Sequence, residues 1–466
     1  MFDTRTYTDR RAALTLRLDG GIVLLPGNPE SPMNFPANAH RFRQDGSFLY
    51  FFGLDAPDLA GTLDLDDGNA TMYGDEASVD DTVWTGPAPS LADEARRVGV
   101  YETRPRRRLV DDLARAVAQG RNIHFLPQYR AENRELLGEI LDLRADRVHE
   151  RVSSALRDAV IALRSVKSPD EIAQLDRAVA LTSRMHRVAM ARTRAGTVER
   201  EVVAAIEAVA IGEGVSTAYP VIFTRHGEVL HNRTREGRLA EDDLVLCDAG
   251  AESPLHYAGD VTRTWPAGGA FAPAQRELYA LVLEAQKAAI SDVRPGVRFR
   301  DIHLQAARRL ATGLKDLGVM RGDVEEAVAA GAHALFFPHG LGHMLGLDVH
   351  DLEALGEDHV GYDTVVTRSG QFGLASLRLA RRLEPGFALT VEPGLYFIPA
   401  LIDLWKAERR HEAFIDYDAV ERYRAFGGIR IEDDVVVLDE GRRILGPPIP
   451  KEIDEVEAAV REGGRA

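Results

Sequence analysis

A single cysteine, Cys247, stands among the 466 residues, which excludes an intrachain disulfide framework, a cysteine-ligated zinc knuckle and an iron–sulfur cluster. Oxygen and nitrogen side chains must carry any chemistry. Basic charge is short as well: 57 Lys and Arg against 73 Asp and Glu leave a net charge of −16, so no global positive field exists to hold a phosphate backbone. Nucleic acid is not an expected partner. No apolar run approaches the roughly 18 residues of a membrane span, and the opening MFDTRTYTDRRAAL is charged where a secretory signal needs its apolar core. The expectation is a soluble, cytoplasmic protein with no membrane partner. Tandem repeats and low-complexity segments are absent too.

What is present suffices for sizeable cores, with 45% apolar and 28% charged residues. Up to about residue 155, short apolar runs alternate with turns and two helical patterns, an α/β rhythm. GIVLLPG (21–27), FLYFFGL (48–54) and GTLDLDDGNATMYG (61–74) predict strands, the last as a hairpin around Asp67 and Gly68. Segments 109–118 and 135–143 predict helices. A helical stretch runs from about 150 to Arg164. Ser168, Pro169 and Glu171 then form a capping box with proline at the first helical position, which marks a domain junction. Beyond it, long helices are predicted over 170–194, 199–213, 274–291 and 299–317, and strands over 244–249, 260–265, 388–392 and 428–438. The tail from Lys451 reads as a charged helix and solvated terminus. The fold class is α+β, an N-terminal α/β domain over 1–160 followed by a larger C-terminal domain over 161–466.

Three of the 14 histidines, His339, His343 and His350, crowd into PHGLGHMLGLDVHD. Pro338, Gly340, Gly342 and Gly346 are poor helix formers, so the pair four apart belongs on an extended or turning segment, not on a zinc-binding helix. Asp248 in LVLCDAG and Asp260 in YAGDVTRTW lie at the ends of apolar strands, where a carboxylate costs free energy unless paired, hydrogen-bonded or metal-bound. Arg263 or a turn amide could satisfy either. Glu392 ends another apolar strand in LTVEPGLYF. In GGIRIEDDVVVL, strand alternation puts Arg430 and Glu432 on one face. If the four acids converge, their repulsion calls for cations, and two divalent ions balance the charge.

CDAG, GDVTRTW, HGLGH, VEPGLY and GIRIEDD, in that order, resemble the five metal-ligand motifs of the pita-bread (creatinase/aminopeptidase) metallopeptidases, in particular the proline-specific branch of aminopeptidase P and prolidase. FRQDGSFLYFFGLDAP (42–57) resembles the N-terminal domain of that branch. The resemblance implies that Asp248, Asp260 and Glu432 hold one metal and that Asp260, His343, Glu392 and Glu432 hold the other. Hard oxygen donors with one imidazole suit manganese, with zinc and cobalt as alternatives. The family spaces its two aspartates by eleven residues; here the interval is twelve, and 251–257 must absorb the difference in a turn or bulge. His339, His350 and His231 match substrate-facing histidines. By the same resemblance Glu392 is the proton carrier, His350 stabilises the oxyanion, and His231 and His339 position the substrate, with Arg430 near them.

The implied activity is hydrolysis of the N-terminal Xaa-Pro bond of small peptides with proline in second position. The alternative is a dipeptidase of the prolidase type, with Arg378 in SLRLARRLEPG as clamp for a dipeptide's C-terminal carboxylate. A non-catalytic pita-bread binding protein is the remote alternative. Trp84 matches a position that in some members reaches a neighbouring subunit, so a homo-oligomer is expected. Cys247 is expected to be buried and to face away from the metals.

Overall fold

The apolar run Ile22–Pro26 forms β1, and the predicted hairpin forms β2 (Ala60–Asp64) and β3 (Ala70–Tyr73). Gly68, at φ 75°, supplies the left-handed residue of the turn. Two short strands, β4 (Glu102–Arg104) and β5 (Ile123–His124), complete a mixed sheet in the order β4-β3-β2-β1-β5. Its core joins Leu24, Tyr73 and Phe125 to Leu109 and Leu113 of the helix Arg108–Ala118 and to Leu137 and Ile140 of the helix Ala131–Leu141. A computed structural model describes residues 1–463 of the chain. It divides into two units, one of residues 1–164 with 352–359, the other of 165–351 with 360 onward.

FLYFFGL is not a strand. Residues Gly46–Phe52 are a helix, started by the Asp45 side chain, which accepts from Ser47 and Phe48 N–H, and stopped by Gly53 at φ 64°. All seven residues are buried, and a short, wholly buried run has no polar face whose spacing could separate helix from strand.

In the second unit the capping box forms as predicted. Ser168 Oγ accepts from Glu171 N–H, the Glu171 carboxylate accepts from Ser168 N–H at 3.0 Å, and the helix runs Pro169–Arg192. Helices Glu199–Gly212, Pro273–Asp292 and Phe299–Asp316 follow the predicted spans closely. One sheet is β6-β7-β8, with β6 Ile222–Thr224, β7 Leu244–Ala249 and β8 Val261–Pro266. The predicted strand 428–438 is broken: β11 (Gly428–Arg430) pairs with β10 (Gly394–Tyr396), whereas β12 (Asp433–Val437) pairs with β9 (Ala388–Val391) and β13 (Arg442–Ile444). Glu432 therefore sits at a break between two sheets and not within one strand.

The tail is not wholly solvated. Val456 and Val460 of the helix Ile453–Gly463 are buried, so its charged residues form only one face.

Candidate functional site

The hairpin β7-β8 carries the two aspartates, and its register decides where the twelve-residue interval is absorbed. Asp248 pairs with Thr262, Ala249 with Val261, and farther along Glu252 with Ala258. Partner numbers keep one sum throughout, so no bulge interrupts the ladder, and the loop 253–257 takes up the extra residue. That loop closes through Ser253 N–H to Tyr257 O (2.8 Å), with His256 at φ 66°. The hairpin is anchored to the capped helix. Tyr257 OH donates to Glu171 Oε1 at 2.9 Å, and Ala251 N–H donates to Thr182 Oγ1 at 2.9 Å. Gly259 lies so close to that helix that a Cβ would meet Thr182 Oγ1.

On the cavity side of this ladder, Asp248 and Asp260, both buried, converge on one hydroxyl: Tyr219 OH lies 2.5 Å from Asp248 Oδ1 and 2.5 Å from Asp260 Oδ1. Burial, then the two aspartates, raise the Tyr219 pKa well above the ordinary range, so its proton stays on. Arg430 Nη2 donates to the other Asp248 oxygen at 2.6 Å, Nη1 to Tyr396 OH at 3.0 Å, and Nε to Thr262 Oγ1 at 3.0 Å. Thr262 in turn donates to Glu432 Oε2 at 2.7 Å. Arg263 serves neither aspartate. It pairs instead with Asp433, at 2.6 Å and fully buried.

The glycine-rich segment 338–346 is non-helical, as its composition predicts, and is pinned to β9: Thr390 N–H donates to His343 O, and His343 N–H to Thr390 Oγ1. Thr390 Oγ1 also lies 3.2 Å from Glu392 Oε1. His343 Nδ1 faces Met344 O at 3.0 Å, and a carbonyl can only accept, so Nδ1 bears the proton. In the neutral ring the Nε2 lone pair then points at Asp260 Oδ2 (3.3 Å) and Glu392 Oε1 (3.7 Å). Lone pair against carboxylate is repulsive unless a cation lies between. Donor atoms each about 2.1 Å from a shared ion stand roughly 3.0–3.5 Å apart at ordinary coordination angles. The backbone carbonyl on Nδ1 is also the usual orienting partner of a metal-bound imidazole.

The charge balance agrees. Ligand atoms of Asp260, His343 and Glu432 all lie within 4.8 Å of one another. Burial, augmented by the neighbouring carboxylates, pushes Glu432 well above the ordinary glutamate range and, against the opposing Arg430, Glu392 up to about 7; Asp248 is raised as well, whereas Asp260, against its burial, is held down by His343 and Tyr219. Protein atoms alone thus do not neutralise this cluster. The residues fit divalent metal.

Above the acids opens a cavity of about 670 Å³, in the size range of small-ligand sites. Every site residue named from the sequence lines it: Asp248, Asp260, His343, Glu392 and Glu432, His231, His339 and His350, Arg378 and Arg430. His339 Nδ1 lies 2.8 Å from Gly340 O, and its Nε2 accepts from Tyr396 OH at 2.8 Å. Burial, then Arg430, lowers its pKa to about 3, so it is neutral. The His350 ring packs on His343, centroids 4.3 Å apart. Cys247 is fully buried and, by strand alternation, on the face opposite Asp248. Tyr219, Tyr396 and Thr262 escaped the sequence reading, because nothing local separates them from ordinary strand and loop residues; only the third dimension places their hydroxyls on the acids.

The chain matches two family models, metallopeptidase family M24 over residues 173–439 and the aminopeptidase P N-terminal domain over residues 7–124. It is 34% identical to a probable Xaa-Pro aminopeptidase of Metarhizium acridum, over 93% of this chain and 89% of that one. It is 31% identical to human Xaa-Pro dipeptidase, over 95% and 89%. Among solved structures it superimposes on Pseudomonas aeruginosa aminopeptidase PepP with a TM-score of 0.83 at 29% identity, covering 100% and 99% of the two chains. Zinc-substituted Escherichia coli aminopeptidase P in complex with product superimposes with 0.81 at 30% identity, covering 99% of each.

Proposed function

The chain belongs to metallopeptidase family M24, and from that premise and the cavity we infer that it is a proline-specific metalloexopeptidase that removes the first residue from peptides with proline in second position. The observation that carries this reading is the buried cluster of Asp260, His343, Glu392 and Glu432, whose donor atoms stand close enough to share a metal ion, with Asp248 joined to Asp260 through Tyr219. Two divalent ions, with manganese the metal the donor set suits best, would be held by Asp248, Asp260 and Glu432 and by Asp260, His343, Glu392 and Glu432. When bound, they supply Lewis acidity and lower the pKa of water into the neutral range.

The chain's own residues do the rest. Glu392, on the cavity wall and 3.2 Å from Thr390 Oγ1, would take a proton and return it to the leaving proline nitrogen. His350 donates to the developing oxyanion. His339, neutral and held by Tyr396, and His231, on the exposed rim, position the peptide. Arg430 is committed to Asp248 and Tyr396, so its part is to orient that carboxylate and to face substrate only with its remaining edge. The free substrate ammonium sits near Asp248, which limits the enzyme to chain ends.

Two readings of chain length remain. The cavity volume of about 670 Å³ supports the aminopeptidase reading. Arg378 on its wall supports the second reading, a dipeptidase with a carboxylate clamp. Comparing Ala-Pro, Ala-Pro-Ala and a longer Xaa-Pro peptide with manganese added tests both: comparable turnover of all three supports the aminopeptidase, and turnover of Ala-Pro alone supports the dipeptidase. The domain limits 1–160 and 161–466 and a homo-oligomer belong to the same proposal. Trp84, 80% exposed on the helix Val79–Thr85, is the feature that supports the oligomer. Among the described residues no helix is long and apolar enough to cross a membrane.

A further inference from the structure

Outside the metal cluster, the second unit holds a fully buried ion pair. Lys167 Nζ lies 3.0 Å from Asp351 Oδ2, with side chains 0% and 1% exposed. The two are 184 positions apart in sequence. Such a pair is a weak source of stability, because desolvating both charges offsets their attraction. What it supplies is a fixed direction.

That direction bears on one loop. Asp351 N–H donates to Met344 O at 2.9 Å, closing residues 344–351 into a strap whose last residue before Asp351 is His350. The Asp351 carboxylate fills the space over Gly346, where a Cβ would collide with it, and Oδ1 accepts from Asp348 N–H at 3.4 Å. The start of the strap is fixed from outside, by Leu345 N–H to Ala388 O (2.9 Å) and Ala258 N–H to Gly346 O (2.8 Å). Its end is fixed by Lys167, whose own backbone N–H donates to Gly386 O at 2.8 Å. Val349 and His350, between these anchors, line the cavity.

We propose that Lys167 and Asp351 are positioning residues for the hydrolytic reaction, a buried clamp that seats the His350 imidazole over the substrate. The proposal rests on the reading that His350 acts on substrate. Lys167 touches neither the cavity nor the acids; its effect passes through the backbone of Asp351 to the neighbouring residue. A displacement of about 1 Å in a catalytic group costs on the order of 100-fold in rate.

The test is a double-mutant cycle on the metal-loaded enzyme with Ala-Pro-Ala as substrate. Lys167→Met with Asp351→Asn removes both charges of the pair together and is made in the wild-type and His350→Ala backgrounds. The expected result is a thermal midpoint and metal content close to wild type, kcat down by about tenfold or more with KM changed less than about twofold, and no further loss of kcat in the His350→Ala background. A folded double variant with wild-type kcat, or a loss that multiplies with that of His350→Ala, overturns the proposal. If the double variant does not fold, Lys167→Arg, which keeps the charge and shifts its position, is carried through the same cycle with the same criteria. Should His350→Ala itself retain wild-type kcat, it is the reading of His350 that fails; a damaging His350→Ala with a multiplicative clamp effect defeats the clamp alone.

Discussion

Arg378 and His343 face the same cavity, yet their replacement separates two kinds of loss. If Arg378 is the clamp of the dipeptidase reading, Arg378→Ala removes a charge-assisted contact to a substrate carboxylate, a loss of roughly 10- to 100-fold in kcat/KM. It is expected for Ala-Pro, while a longer peptide, whose carboxylate lies elsewhere, changes less than about threefold; equal losses on both substrates would rule the clamp out. His343→Ala acts on every substrate alike, because it deletes a donor whose lone pair faces Asp260 and Glu392. Elemental analysis should show reduced metal content in that variant, and full occupancy would contradict the ligand assignment. The four acids and the histidines His339, His343 and His350 stood out because they sit in short motifs beside apolar strands or in a glycine-rich segment, whereas His231, in the loop GEVLHNRTRE, was singled out by the family resemblance alone. Tyr219 and the Arg430 bond to Asp248 were not legible, since they join residues 29 and 182 positions apart. Strand alternation put Arg430 and Glu432 on one face; it could not show that Arg430 is already paired.

At the scale of elements, the capped helix Pro169–Arg192 supports the metal hairpin through Glu171 and Tyr257. Ser168→Ala removes one half of the capping box and should lower unfolding free energy by about 1 kcal/mol. Urea denaturation would show this as a lower midpoint with unchanged slope, and kcat should stay at its wild-type value, because the hairpin keeps its own ladder. A large fall in kcat with no change in midpoint would contradict that division of labour. Long helices were legible end to end, since caps and 3.6-residue periodicity are local signals. The failures have a common cause. The Gly46–Phe52 helix is buried on all sides, and the break at Glu432 arises because β11 and β12 find different partners, a tertiary choice that the run GIRIEDDVVVL does not encode. Two- and three-residue strands such as β5 and β13 exist only through their neighbours.

For the whole molecule, burial of histidines sets a pH dependence apart from catalysis. Burial lowers His303 to about 3 and His333 to about 4, so both are neutral in the folded chain, whereas unfolding returns them to about 6.5. Below that value the unfolded chain binds protons that the native one refuses. Stability is therefore lost as pH falls from about 6.5 toward 4, with a slope of at most about 1.4 kcal/mol per pH unit for each group. Replacing His303 by Phe should flatten the slope measured by denaturation between those limits, and an unchanged slope would contradict the assignment. Composition had already confined the chemistry to carboxylates and imidazoles; the structure adds that four of the 73 acids meet at one cavity.

The central claim is that this cavity is a metal-dependent site for Xaa-Pro bonds at the amino end of peptides. The most direct test follows release of free alanine from Ala-Pro-Ala and from Ala-Ala-Ala, with added manganese, after chelation, and after manganese is restored. The account predicts release from Ala-Pro-Ala alone, abolished by chelator and regained with the metal. Hydrolysis that survives chelation, or that proceeds equally well without proline, would contradict it.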